Sequence, residues 1–308
     1  MTIFLDFDGT ITTEDTVTHL ANFALRFQSE ERERQRHGDD DDDDDLTTTS
    51  PDLSSRWDEV VHAYVSDYKS HVSSYAPPAA DRLRVEDEVT FLRSQKHVET
   101  RSLGRINECA LFRGISDDVF REAGRRLVED GTVRLRPGFG RLVRGALGRG
   151  RRVCVVSVNW SAAFIEGAAC GEFAAGEVTV YANEVREVDG AVLGPRDGTG
   201  KVLLGGGRNL TNSEDKRDVV RMVMGLARDS ERGAPVFCYF GDSTTDMECL
   251  LEATRGVVIA DDEESGLIKT LRRLGKRVPH VRDAEADEEI VWAVDFEEVM
   301  AAPKFGLT

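Results

Sequence analysis

The sequence predicts an α/β protein: a doubly wound parallel sheet with an all-helical insertion after its first strand. Two observations carry this. Short continuous apolar runs, among them Val153–Ser157, Val178–Tyr181, Val236–Phe240 and Val257–Ala260, alternate with helical stretches over the second half of the chain. Runs of that length suit parallel strands buried on both faces. Between residues 14 and 134, in contrast, the pattern is helical.

The elements follow in order. Residues 2–8 read as a buried strand. Residues 14–36 begin with helical spacing at Val17, Leu20, Ala21, Ala24 and Leu25 and end in mixed charge. His37-Gly38, seven aspartates (Asp39 to Asp45) and Thr47-Thr48-Thr49-Ser50-Pro51 follow. This stretch has no apolar surface to bury and its charges repel, so a disordered loop is expected at about 37–55. Trp57, Val60, Val61, Tyr64, Val65, Tyr68 and Val72 fall on one face of a helix over 56–75, and a stripe of this kind is expected in the core. Pro77-Pro78 ends it. Helices are expected over 80–97 and over 116–129, the latter with Ser116 as N-cap. At Pro137 the pattern changes to a helix over 138–147 and then the alternating strands. The expected division is a core of 1–13 and 135–308, and a helical cap of 14–134.

Composition narrows the partners. The net charge is −17, of which the Asp39–Asp45 run supplies seven, leaving −10 on the rest. Such a chain repels nucleic acid and anionic lipid, so no nucleic-acid or membrane partner is expected. An anionic substrate then requires local positive charge from a bound cation and one or two basic side chains. The five cysteines form no CxxC pair, which points to reduced, buried thiols and to no zinc framework. No apolar run approaches the roughly 20 residues of a membrane span. With a strand starting at residue 2 and no secretory leader pattern, a cytoplasmic location is expected. The Asn-x-Ser/Thr triplets at Asn159 and Asn209 are then chance matches.

Ligands of doubly wound sheets bind beyond the carboxyl ends of the strands. There the sequence places Asp6-Phe7-Asp8-Gly9-Thr10, Ser157-Val158-Asn159 and Gly241-Asp242-Ser243-Thr244-Thr245-Asp246. Asp6 and Asp8, spaced i and i+2, can converge past a strand tip, which is costly unless a cation lies between them or one is protonated. Lys216 follows a plausible helix cap at Thr211-Asn212-Ser213-Glu214. The Gly198-Thr199-Gly200-Lys201 stretch lacks the rest of a P-loop and reads as a loop.

In this order, these four segments resemble the motifs of haloacid dehalogenase (HAD) superfamily phosphatases: DxDGT at Asp6–Thr10, the serine at Ser157, the lysine at Lys216, and GDxxxD at Gly241–Asp246. The insertion is similar in position to the superfamily's C1 cap. The resemblance implies a HAD Rossmann-like core and a Mg²⁺ held by Asp6, the Asp8 carbonyl, Asp242 and Asp246, the last either as ligand or as partner of Lys216. It implies Asp6 as nucleophile and Asp8 as proton donor and acceptor. It implies phosphate binding by Ser157, Lys216 and the N–H groups of Gly9, Thr10 and Val158. The acid at position 8 points to phosphate esters and leaves phosphomutase chemistry as a competitor; a non-catalytic scaffold using the acidic run is the other alternative. The chain looks like the phosphoserine phosphatase-like branch, but Asp15 stands where those enzymes place a Glu that binds the substrate amine, and Thr245 replaces an Asn. Phosphoserine is therefore disfavoured. Asp15, Asn159 and Trp160 are expected to face the substrate, with core packing as the alternative for Trp160. The expected substrate is a small phosphorylated metabolite, and the expected state a monomer or homodimer.

Overall fold

The computed structural model describes residues 1–38, 52–174, 176–225 and 236–302. Its centre is a six-stranded, all-parallel sheet built from β1 (Thr2–Leu5), β2 (Arg152–Val156), β3 (Thr179–Tyr181), β6 (Phe237–Gly241), β7 (Arg255–Ile259) and β8 (Ile290–Ala293), in the order β3-β2-β1-β6-β7-β8. The chain winds outward to β3 and then resumes beside β1, so the topological switch lies between β1 and β6, where such sheets bind ligands. Leu5 pairs with Val155 on one side and Phe240 on the other, which brings Asp6, Val156 and Gly241 level at the sheet's end.

Alternate strand residues feed two cores. Ile3, Leu5, Val153 and Val155 pack with α6 (Phe139–Gly148) and α7 (Ala162–Ala169); Phe4, Cys154 and Val156 pack with α8 (Ser213–Val223), α9 (Met247–Glu252) and α10 (Gly266–Arg273). Burial on both faces is what produced the unbroken apolar runs. β8 is a further strand, followed by α11 (Phe296–Ala301). A small hairpin of β4 (Glu184–Arg186) and β5 (Ala191–Leu193) turns at Asp189-Gly190. Four of the five cysteines are buried and all five are free.

The insertion holds α1 (Val17–Gly38), α2 (Leu53–Ser74), α3 (Val85–Ser94), α4 (Lys96–Cys109) and α5 (Asp117–Glu129). Ser116 caps α5 by accepting the Val119 N–H. α5 lies tightly on α7: a Cβ on Gly167 would sit 1.9 Å from the Arg121 carbonyl oxygen. The last helix of the insertion thus packs as part of the core.

Several expectations change. β1 stops at Leu5, because the chain turns after Asp6, with the Ile11 N–H donating back to the Phe7 carbonyl. The helix expected over 80–97 is instead a short turn at Ala79–Asp81 and α3; at Lys96 a new helix begins, and that lysine turns to the core. α1 runs to Gly38 and α2 starts at Leu53, so the expected loop is shorter at both ends; the Asp39–Asp45 run lies outside the described residues. The α2 stripe is not core throughout. Val60 is buried, but Val61, Val65, Tyr68 and Val72 are exposed, because α2 packs mainly on α4 and leaves one flank open. No helix among the described residues is long and apolar enough to cross a membrane.

Candidate active site

Asp6 leaves β1 buried at the switch point, its N–H donating to the Phe240 carbonyl. Lys216, fully buried on the first turn of α8, places Nζ 2.8 Å from Asp6 Oδ1 and 2.7 Å from Asp246 Oδ1. The Asn212 side chain caps that helix by accepting the Asp215 N–H. Arg217 instead pairs with Glu248, and Lys201 is exposed, so Lys216 is the lysine of the site.

Asp246 has both carboxylate oxygens engaged. Oδ1 accepts from Lys216 and from the Tyr239 hydroxyl at 2.7 Å; Oδ2 accepts the N–H groups of Asp242 and Ser243. This geometry ties Asp246 to Lys216, one of the two roles expected of it, and to the loop after β6. Asp242 Oδ1 accepts from the Thr10 hydroxyl at 3.0 Å. Gly9 sits at φ +72°, and a Cβ there would lie 2.3 Å from Asp242 Oδ2, so the close approach of these two loops requires glycine.

Asp8 is clamped. Oδ1 accepts from the Thr16 N–H (2.8 Å) and hydroxyl (2.6 Å), and Oδ2 accepts from Asn159 Nδ2 at 2.9 Å. Asn159 is fully buried and also donates to the Thr16 hydroxyl oxygen. It therefore holds Asp8 and does not face a substrate, contrary to expectation. The Gly9 N–H is likewise committed, to Thr12 Oγ1 and the Glu14 carbonyl, which removes it from the expected phosphate donors. The N–H groups of Thr10 and Val158 have no hydrogen bond among the described residues. Ser157 Oγ accepts the Asn159 N–H and keeps its own proton available.

Charge is concentrated here. Burial, then the Asp246 charge, raises Asp6 well above the ordinary carboxylate range, against the pull of Lys216. The same two causes raise Asp242 to about 7. Burial alone would depress Lys216, but Asp246 and Asp6 outweigh it and raise it. Asp8 is raised by burial and then by Asp15, against the hydrogen bonds from Thr16 and Asn159. Oxygens of Asp6, Asp242 and Asp246 lie within 4.8 Å of one another, and buried Asp6 Oδ1 has an ion-pair neighbour but no hydrogen-bond partner. Three converging carboxylates with a single lysine among them make an all-oxygen donor set that fits a hard divalent cation such as Mg²⁺.

Two further residues position these loops. Arg136 donates to the Gly9 carbonyl from Nε (3.2 Å) and Nη2 (3.0 Å), tying the first loop to the sheet's far side through Val294. Asn183 donates to the carbonyls of Val158, Asn159 and Leu210 and accepts the Leu210 N–H. It joins the loop after β2 to the segment leading into α8. Each is one polar residue among many, and only the fold gives it partners.

Beside this cluster, cap and core enclose a cavity of about 330 Å³. Asp15, Val158 and Trp160 line it from the core side, and Trp57, Val60, Tyr64 and Glu99 from the cap. Trp160 both lines the cavity and packs edge-on against Trp57 at 6.0 Å. The first half of the stripe on α2, from Trp57 to Tyr64, therefore forms a cavity wall.

Sheet order and switch point define a doubly wound, Rossmann-like α/β fold, with an all-helical insertion after the first strand. The chain is 25% identical over 282 residues to the mitochondrial bifunctional TH2 protein of Arabidopsis thaliana. The match takes in 89% of this chain but only 41% of that protein's length. A Bordetella pertussis protein of unknown function superposes with a TM-score of 0.50 at 16% identity, over 95% of this chain and 98% of that one. A phosphoserine phosphohydrolase-like protein from Francisella tularensis gives 0.46 at 12% identity, over 97% and 98% of the two chains. No family model matches the chain.

Proposed function

We propose that the chain is a Mg²⁺-dependent phosphatase that hydrolyses a small-molecule phosphate monoester through an aspartyl-phosphate. The observation that carries this reading is the pairing of a buried Asp6–Lys216 contact with an Asp8 held separately by Thr16 and Asn159. Two carboxylates close in sequence thus receive different environments, as a nucleophile and a proton carrier need. A carboxylate oxygen of Asp6 attacks phosphorus, and the bond to the ester oxygen breaks. Asp8, whose raised affinity for a proton suits the task, protonates the leaving alkoxide. It then takes a proton from water as that water attacks the aspartyl-phosphate, releasing inorganic phosphate and restoring Asp6. Lys216, the Ser157 hydroxyl and the N–H groups of Thr10 and Val158 would receive phosphoryl oxygens. Asp6, the Asp8 carbonyl and Asp242 would hold Mg²⁺, which offsets phosphoryl charge when bound. The cavity volume, at the small end of the roughly 300–1,000 Å³ of ligand pockets, supports a compact leaving group.

The test is Mg²⁺-dependent release of inorganic phosphate from p-nitrophenyl phosphate and a panel of monoesters. Asp6→Asn, folded by circular dichroism, is expected to lose at least about 10⁴-fold in rate. Retained activity in that variant overturns the mechanism. Phosphoryl transfer to a second sugar without phosphate release would favour a mutase. No turnover of any ester would favour a scaffold.

A further inference from the structure

Phosphate chemistry leaves the composition of the cap–core cavity unexplained. Three aromatic rings, of Trp57, Tyr64 and Trp160, line it together with two carboxylates, Asp15 and Glu99. No lysine or arginine among the described residues lines it. The nearby ammonium of Lys96 is committed at 2.5 Å to Asp215 and at 2.7 Å to the Asn209 carbonyl. Glu99 accepts from the Tyr64 hydroxyl at 3.0 Å, which orients the carboxylate and ties it to the ring. Asp15 is close enough to both Asp8 and Tyr64 for its charge to act on each, so the cavity adjoins the proton carrier.

This wall has a definite electrostatic character. Aromatic faces carry the negative end of a quadrupole, and quaternary ammonium groups are held where several such faces meet. Adding two carboxylates and no base makes the cavity attractive to a cation and repulsive to a second anion. The burial that raises Glu99 is a cost that a cationic group would offset. A leaving group bearing a carboxylate or another phosphate meets the opposite field.

Resting on the phosphatase reading, we propose that this cavity selects phosphate esters of alcohols bearing a permanent positive charge on nitrogen. Trp57, Tyr64 and Trp160 face the cation, while Asp15 and Glu99 balance its charge. The cation belongs to the alcohol and leaves with it, so the selection acts on the leaving group and is independent of the phosphoryl site.

The experiment uses the full chain with Mg²⁺ and two charged–neutral pairs of equal shape. One is phosphocholine against 3,3-dimethylbutyl phosphate; the other is (1-methylpyridinium-3-yl)methyl phosphate against 3-methylbenzyl phosphate. The first pair asks for a compact cation and the second for a flat one. At least one charged ester is expected to exceed its neutral twin about tenfold or more in kcat/KM, with phosphoserine below both. Glu99→Gln, folded by circular dichroism, is expected to bring that ratio close to one. Ratios near one for both pairs in the unaltered chain, or a preference for phosphoserine, overturn the proposal. If no ester at all is turned over, the phosphatase reading fails, and the cavity is judged by binding alone. Two of the three tryptophans line it, so choline and 1-methyl-3-(hydroxymethyl)pyridinium are titrated by tryptophan fluorescence. Saturable sub-millimolar binding, absent for 3,3-dimethylbutanol, supports the cation site; equal or absent binding overturns it.

Discussion

The two ends of the candidate site are built on different principles. At the sheet's end, each charged group is answered by a specific partner: Asp6 by Lys216, Lys216 by Asp246, Asp246 by Tyr239 and two backbone N–H groups, Asp8 by Thr16 and Asn159. In the cavity beneath the cap, a wall of rings and apolar side chains carries two carboxylates and few directed bonds. The first region can support one chemistry and tolerates little change. The second sorts substrates by shape and charge, so substitutions there should alter preference more than rate.

The largest break in that contrast is expected at Lys216. Lys216→Met leaves the buried carboxylates of Asp6 and Asp246 without their cation. Removing one partner of a buried ion pair costs about 3–5 kcal/mol. Thermal unfolding should move down strongly, and turnover of p-nitrophenyl phosphate should fall at least about 10²-fold. Added Mg²⁺ should recover part of the stability and none of the lost phosphate contact. A variant with unchanged melting and rate would remove the argument that the sheet's end is an interdependent charge cluster.

A second measurement needs no mutation. Burial and the Asp246 charge push Asp242 up to about 7 in the folded protein, against an ordinary 3.8. Between those values the folded state binds the extra proton, so stability falls as pH rises through this range and levels off above it. Asp6 is shifted in the same direction. Surface carboxylates such as Glu122 and Asp189, both lowered to about 2 by arginines, act oppositely but only in acid. With a chelator present, the melting temperature is therefore expected to drop from pH 5.5 to pH 8. Saturating Mg²⁺ should flatten that slope, since a bound cation replaces the proton. A chelated protein that is as stable at pH 8 as at pH 5.5 would contradict the burial of these charges.

Asn159 sharpens the comparison, because it neighbours the cavity in sequence yet belongs to the charge cluster. Asn159→Ala releases one oxygen of Asp8. The expected loss in kcat is about 10–100-fold for alkyl esters, whose leaving groups need a proton, and much smaller for p-nitrophenyl phosphate. KM should change little. Equal losses for both ester types would return Asn159 to general packing.

What could be read from the sequence follows the same division. Asp6, Asp242, Ser157 and Lys216 are fixed to strand ends and a helix start, so spacing and apolar runs locate them. The parallel strands were legible because burial on both faces leaves no alternation, apart from β8, a four-residue run after an acidic stretch. Asn159 and Gly9 were assigned to ligands because a sequence does not reveal that Asp8 and Thr12 claim them first. The cavity was legible only at Asp15 and Trp160, which were expected to face a substrate and do line it; the rest of its lining comes from α1, α2, α4 and other segments, and no spacing rule joins Trp57 to Trp160.

The smallest expected effect tests whether α2 divides as the structure describes. Val60 and Val65 belong to one helical stripe but lie at its opposite edges, about 140° apart around the helix. Val60 is 6% exposed and lines the cavity, whereas Val65 is 39% exposed and does not. Val65→Ser should change stability by no more than about 0.5 kcal/mol, as surface substitutions do, and leave KM unaltered. Val60→Ser buries a hydroxyl and removes methyl groups from the wall, at a cost of about 1–3 kcal/mol, and should raise KM for the preferred ester while kcat stays close to its starting value. If Val65→Ser proves the more damaging of the two, the outer half of α2 is covered in the working protein. The wall of the cavity would then extend along the helix beyond Tyr64.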